Sequence, residues 1–331
     1  MIAVILVGLL PVVLFLGALI LMDSYKLVSR KSVALALLAG ALSAGICYFV
    51  NRRLLASHIG DATLHHYVAP LVEESVKALY LVFLLRTAQV GFLVDAGILG
   101  FAIGTGFALV ENLYYAGATG EMGIALWIVR GLGTAVMHGS ATAIVGILSK
   151  SLMDRRGSGS LLLFLPGFLL AAAAHALFNR VIVNPFLSTA AILVTMPLLV
   201  GIVFERSDRS TRDWLGMGLD TDLALLDVIE TGRIEDTPVG AYLSSLNRFP
   251  GPVVADMLCL LRIHLELSLR AKGILIGRAA GVEIPVDEDV RANFREMKYL
   301  ERAIGRTGRI AMKPLLRTSN RDLWELHVLR K

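Results

Sequence analysis

The chain has 331 residues, 56% of them hydrophobic and 18% charged, with a formal net charge of +5 and a mean hydropathy of +0.68. Such a composition excludes a soluble globular enzyme and a disordered chain alike, and predicts an all-α, polytopic membrane helix bundle. Cys47 and Cys259, the two cysteines, lie in segments of different character, which excludes a disulfide framework or a cysteine-based metal site.

Apolar runs long enough to cross about 30 Å of hydrocarbon, roughly 20 residues each, fall near 1–22, 32–50, 66–85, 92–115, 122–149, 160–183 and 186–204. About seven transmembrane helices follow. The first run lacks a basic start and a small-residue cleavage site and is followed by Asp23, Lys26, Arg30 and Lys31, so it reads as a retained helix. One set of connecting loops holds Lys26, Arg30, Lys31, Arg86, Lys150, Arg155 and Arg156, and the opposite set Arg52, Arg53 and Arg180. The richer set is expected on the cytoplasmic side, with the N-terminus outside and the C-terminus inside. The Arg52-Arg53 pair pulls the other way, which leaves five or six spans as an alternative.

Polar residues interrupt four of these runs. The third opens Leu71-Val-Glu-Glu-Ser-Val-Lys77; on a helix Glu73 and Lys77 share a face, and Glu74 points about 100° away. One carboxylate is then expected to be ion-paired and the other to face a cavity, although a buried Glu-Lys pair fixing helix register would explain part of the pattern. The fourth run carries Glu111 and Asn112, the fifth Arg130 and then His138, and the sixth His175 and Asn179 on one face. Gly97, Gly100, Gly104 and Gly106 are spaced for close helix packing. Counting about 1.5 Å of rise per residue from the cytoplasmic end puts Glu73 and Glu74 near ~20 Å, Glu111 near ~24–30 Å, His138 near ~18 Å and His175 near ~22 Å. Ionisable groups in hydrocarbon are functional candidates, and these converge on one layer between midplane and outer leaflet.

From Glu205 the composition changes: the remaining 127 residues hold 20 Lys/Arg and 19 Asp/Glu. The expected organisation is a transmembrane domain over 1–204 and a cytosolic, mostly helical domain over 205–331. Asp220 or Thr221 is a candidate N-cap ahead of Leu223–Ile229, with Gly232 as a stop, and amphipathic runs follow over Val253–Ile276 and Asp287–Ile304. Gly305–Arg309 and Lys313–Arg317 read as loops. The basic side of this tail is either an ordinary solvated face or a surface that rests on anionic lipid.

Four motifs in this order resemble the PrsW family of intramembrane proteases, related to the CAAX prenyl proteases and bacteriocin-processing membrane peptidases. Glu73-Glu74-x-x-Lys77 is similar to the E-E-x-x-K motif, Phe107-x-x-x-Glu111-Asn112 to F-x-x-x-E-N, His138 to the third-motif histidine and His175-x-x-x-Asn179 to the final H-x-x-x-N. The resemblance covers about residues 65–183 and implies a peptidase of a bacterial-type plasma membrane. Its partners would be the lipid bilayer and a membrane-anchored protein substrate such as an anti-sigma factor, with no nucleic acid. It also implies site residues Glu73, Glu74, Lys77, Glu111, Asn112, His138, His175 and Asn179. In one mechanism Glu73 or Glu74 activates water and His175 with Asn179 stabilises the oxyanion. In the other, Zn2+ is held by His138, His175 and a glutamate, for which Glu111 is a candidate. No cofactor is required by the motifs; Zn2+ is the one they suit. A proton- or ion-coupled transporter and a non-catalytic scaffold with a partner-binding tail are the alternative functions.

Overall fold

A computed structural model of the chain describes residues 2–57, 59–118, 123–156, 160–180, 184–316 and 320–329. Two compact units make it up, Met1–Ser207 and Asp208–Lys331. Among the described residues all regular structure is helical.

In the first unit the helices are α1 (Ile2–Met22), α2 (Arg30–Ala56), α3 (Ala69–Arg86), α4 (Leu93–Ala118), α5 (Ala135–Arg156), α6 (Leu165–Asn179) and the start of α7 (Pro185–Glu230). Within the described residues, each of the seven apolar runs is thus helical over most of its length. Among the described residues, five helical segments are long and apolar enough to cross a membrane: Arg30–Ala56, Leu93–Ala118, Ile124–Arg156, Leu161–Asn179 and Pro185–Glu230. The third helix falls outside that set because Glu73, Glu74, Lys77 and Arg86 lower its apolarity. Leucines on the outer surface, such as Leu14, Leu42 and Leu198, are exposed as lipid-facing side chains should be.

Local signals set the helix ends. Ser29 caps α2 by accepting from Ser32 N–H at 3.1 Å, and Pro70 sits in the first turn of α3. Asp95 accepts the Gly91 and Phe92 N–H groups at the start of α4. Two wide, π-helical turns, Leu64–Val68 and Val129–Thr134, lead into α3 and α5; such turns re-aim side chains and recur at functional sites.

The fourth helix is the centre of the bundle, packed chiefly on α2 and α5, and α6 lies on α5 and α3. Its small-residue stripe makes this approach close. A Cβ on Gly104 would overlap the His138 carbonyl oxygen, and one on Gly106 that of Leu37. The glycines therefore fix the distance between α4 and the backbone that carries His138.

Asp23, in the connection after α1, is buried and accepts Val28 N–H at 3.1 Å. Burial, and secondly the negative charge of Asp95, push its pKa from 3.8 up to about 7. The folded protein thus holds this proton more tightly than the unfolded chain does, so stability declines as pH rises from near 4 to about 7 and levels off above that. Asp23→Asn keeps the acceptor for Val28. It is expected to raise the thermal midpoint at pH 8 by several degrees and to leave it nearly unchanged at pH 4, measured on detergent-solubilised protein.

In the second unit α7 runs through Asp220 and Thr221 without a break and ends at Glu230, so these residues cap no helix start; Gly232, at φ 72°, is the stop. Then come α8 (Pro238–Ser245), α9 (Gly251–Ala279), α10 (Glu288–Ala303), α11 (Gly305–Leu316) and α12 (Asn320–Val328). Asp287 caps α10 through Val290 N–H. The Gly305–Arg309 segment and Lys313–Leu316 are helical where loops were expected. Gly305, at φ 68°, makes the turn, and Gly308 and Met312 bury one flank of the new helix. Arg317 lies outside the described residues. Buried Lys272 meets Asp222 at 2.5 Å and Glu325 at 3.3 Å, next to Ser268, and ties α7, α9 and α12 of this unit together. Both cysteines are free.

Candidate active site

Five helices, α2 to α6, and a wide turn deliver one connected polar cluster into the core of the first unit. Glu74 and Lys77, both fully buried, pair at 2.5 Å on successive turns of α3. The same Glu74 Oε1 accepts from His175 Nδ1 at 2.9 Å. Lys77 Nζ also lies 3.2 Å from His138 Nδ1. An ammonium has only donors, so His138 Nδ1 accepts and its Nε2–H donates to Glu111 Oε2 at 3.2 Å. The two imidazoles stand edge to face, with ring centroids 4.7 Å apart.

Glu73, also buried, joins this cluster to α2. Its Oε1 accepts from Asn51 Nδ2 at 3.2 Å, and its Oε2 faces His175 Nε2 at 3.8 Å. In the neutral imidazole, donation through Nδ1 leaves a lone pair on Nε2. A lone pair and a carboxylate facing each other in low dielectric repel unless a cation or a proton lies between them. Among the described residues, Glu73, His138 and His175 are the group whose ligand atoms lie within 4.8 Å of one another, all three buried. Two imidazoles and a carboxylate are a donor set that suits Zn2+. Glu74 on His175 Nδ1 is the outer carboxylate that orients a ligating histidine, and Glu74 Oε2 is a buried acceptor without a hydrogen-bond partner. The residues fit a divalent metal, with one demand: at His138 either Lys77 or Glu111 has to yield.

Glu111, about one-quarter exposed, is held from the other side by Arg130, whose guanidinium is 3.3 Å away. Arg130 also donates to Asn112 Oδ1 at 3.0 Å and stacks 3.9 Å from the Tyr115 ring. Asn112 in turn donates to the Gly8 carbonyl of α1 at 2.8 Å. Its amide is engaged at both ends, so Asn112 positions Arg130.

Several placements differ from the reading of the sequence. Lys77 pairs with Glu74 at i+3, not with Glu73 at i+4, so Glu73 is the one of the two that Lys77 does not hold. The metal-capable trio contains Glu73 where Glu111 was the sequence candidate; Glu111 contacts His138 from outside the trio. Asn179 turns its amide to the His65 carbonyl at 3.2 Å and so joins α6 to the wide turn before α3. Asn51 and Arg130 were not among the sequence candidates. Arg130 carried a signal, since an arginine within a span calls for a counter-ion; Asn51 carried none beyond its place next to Arg52.

Fold and site together define a polytopic helical membrane protein built around a buried cluster of carboxylates and imidazoles. A family model, the PrsW family intramembrane metalloproteases, matches residues 28–202, more than half of the chain and every residue of the cluster. The chain belongs to this family, and it is a membrane peptidase. Comparisons with curated proteins and with solved structures give no match.

Proposed function

We propose that the protein hydrolyses a peptide bond of a single-span, membrane-tethered protein at the centre formed by Glu73, His138 and His175. The observation that carries this is the meeting of their donor atoms within 4.8 Å, from three helices, in a buried core. In this reading the three residues hold Zn2+, with Glu74 fixing the His175 tautomer. Bound metal supplies polarisation of the scissile carbonyl and a more acidic water. Glu111, the most exposed carboxylate of the cluster, takes the proton from the attacking water and returns it to the departing amine. Arg130 holds and aims Glu111, and Lys77 holds Glu74.

A second reading has one observation in its favour: both nitrogens of His138 are already engaged, by Lys77 and Glu111. It needs no metal, and Glu73 itself takes the proton from water. The two readings part at Glu111, which is the base in the first and only an anchor for His138 in the second.

The tail is proposed to be cytoplasmic and the N-terminus outside, from the distribution of Lys and Arg over the loops. Glu111 then lies one turn below Tyr114 and Tyr115, and Tyr48 packs 5.3 Å from Tyr114. Such aromatic groups mark a membrane–water interface, and they suit a scissile bond in the outward juxtamembrane segment of the substrate.

The test uses purified protein in proteoliposomes with a single-span protein that accumulates uncut in a deletion strain. Cleavage is expected, lost on exhaustive chelation and restored by about one equivalent of Zn2+. Undiminished cleavage after chelation selects the second reading. No cleavage of any accumulating protein refutes both.

A further inference from the structure

Two helices of the second unit carry basic strips that the hydrolytic centre does not use. On α10, Arg291, Arg295, Lys298 and Arg302 are all exposed and, at about 100° per residue, fall within roughly 60° of arc. On α11, Arg306, Arg309 and Lys313 do the same. The opposite flanks are spoken for: Val290, Met297 and Leu300 of α10, and Gly308 and Met312 of α11, are buried. Of the exposed acids of α10, Asp289 and Glu296 lie on the far flank, away from its strip, and Glu288 borders the strip in the first turn, one acid beside four basic residues.

The spacing sets like charges against each other. Arg291 with Arg295, Lys298 with Arg302, and Arg309 with Lys313 are i, i+4 pairs of one sign, which destabilise a helix in water. At the outer edge of each strip stands an exposed apolar side chain, Tyr299 at 68% and Ile310 at 62% exposure. Basic residues bordered by exposed apolar ones are the pattern of a helix lying in a lipid headgroup layer. An anionic surface would turn the self-repulsion of the strips into attraction. Apolar residues 185–204 immediately precede this unit, and the bilayer that takes them up keeps the strips at high effective concentration relative to lipid.

We propose that α10 and α11 dock on anionic lipid headgroups through these strips, with Tyr299 and Ile310 entering the headgroup layer. The proposal rests on the membrane tether and not on the hydrolytic reading. It is tested on the full chain in nanodiscs, with an environment-sensitive fluorophore on Ile310→Cys in a Cys259→Ser background. Quenching by brominated lipid is compared between discs of phosphatidylcholine alone and discs with about 30 mol% phosphatidylglycerol. About threefold stronger quenching is expected in the anionic discs, reversed by about 0.5 M salt. Arg306→Glu, Arg309→Glu and Lys313→Glu together should abolish the difference, and the corresponding Gln replacements should reduce it. Equal quenching in the two lipids, or quenching indifferent to the charge reversals, overturns the proposal. So does a response that arises only on adding a nucleic acid or an acidic protein.

Discussion

Glu73→Gln is expected to lower the rate of substrate cleavage about a thousandfold while leaving the amount of protein in the membrane unchanged. The reason lies in its surroundings: among the described residues no lysine or arginine pairs with Glu73, and its contacts there are Asn51 on one oxygen and His175 Nε2, at 3.8 Å, across from the other. Glutamine keeps the volume and an acceptor for Asn51 and removes the charge, so the fold loses little. Both forms of the chemistry lose what they need, either a charged ligand or the base itself. Quantitative immunoblotting of membranes beside a cleavage assay separates the two effects. A variant that cleaves at the wild-type rate contradicts the assignment, and one that is absent from the membrane means that Glu73 supports the fold instead.

Lys77→Met is expected to do the reverse, removing folded protein as well as activity. Lys77 and Glu74 are both fully buried and pair at 2.5 Å, and deleting one partner leaves the other as an uncompensated charge in the core. Such deletions cost about 3–5 kcal/mol, a large part of the whole stability of a typical protein. Combining Lys77→Met with Glu74→Gln should recover most of the folded protein and none of the cleavage, because the stranded charge is gone but His175 has lost its orienting carboxylate. Thermal unfolding of the single and double variants in detergent gives the comparison. Equal losses in both would mean that the pair contributes through packing alone.

These two expectations assign separate tasks to adjacent glutamates, and that separation was hidden in the sequence. The motif spacing identified the helix and the layer, since an i, i+4 relation and a rise per residue are enough to bring Glu73, Glu74, Glu111, His138 and His175 to a common depth. Which glutamate meets Lys77 depends on side-chain rotamers, since all three residues share one helix. Asn51 engages Glu73 and His175 engages Glu74, and both partners lie on other helices, away from the motif. Asn179 shows the same limit: its place one turn from His175 gave its face but not its attachment to the His65 carbonyl. Arg130 was readable as a costly charge in a span, yet its link to Glu111 and Asn112 depends on a wide turn that residue periodicity does not reveal. In the tail, glycine at 305 suggested a loop, whereas a single left-handed residue is enough to end one helix and begin another.

Gly104 stands where α4 passes α5. Its contact brings the His138 backbone against the central helix, and Glu111 of the same helix meets His138 Nε2 at 3.2 Å. Close packing, more than any one hydrogen bond, is what converts residues on separate helices into a single centre.

That Glu73 and His175 belong to one centre is tested most directly by comparing the cleavage rates of Glu73→Gln, His175→Ala and the double variant. Groups that act as a unit lose activity together, so the double variant should cleave within about threefold of the slower single variant. Losses that multiply, with the double variant slower by the product of the two single effects, would contradict the account.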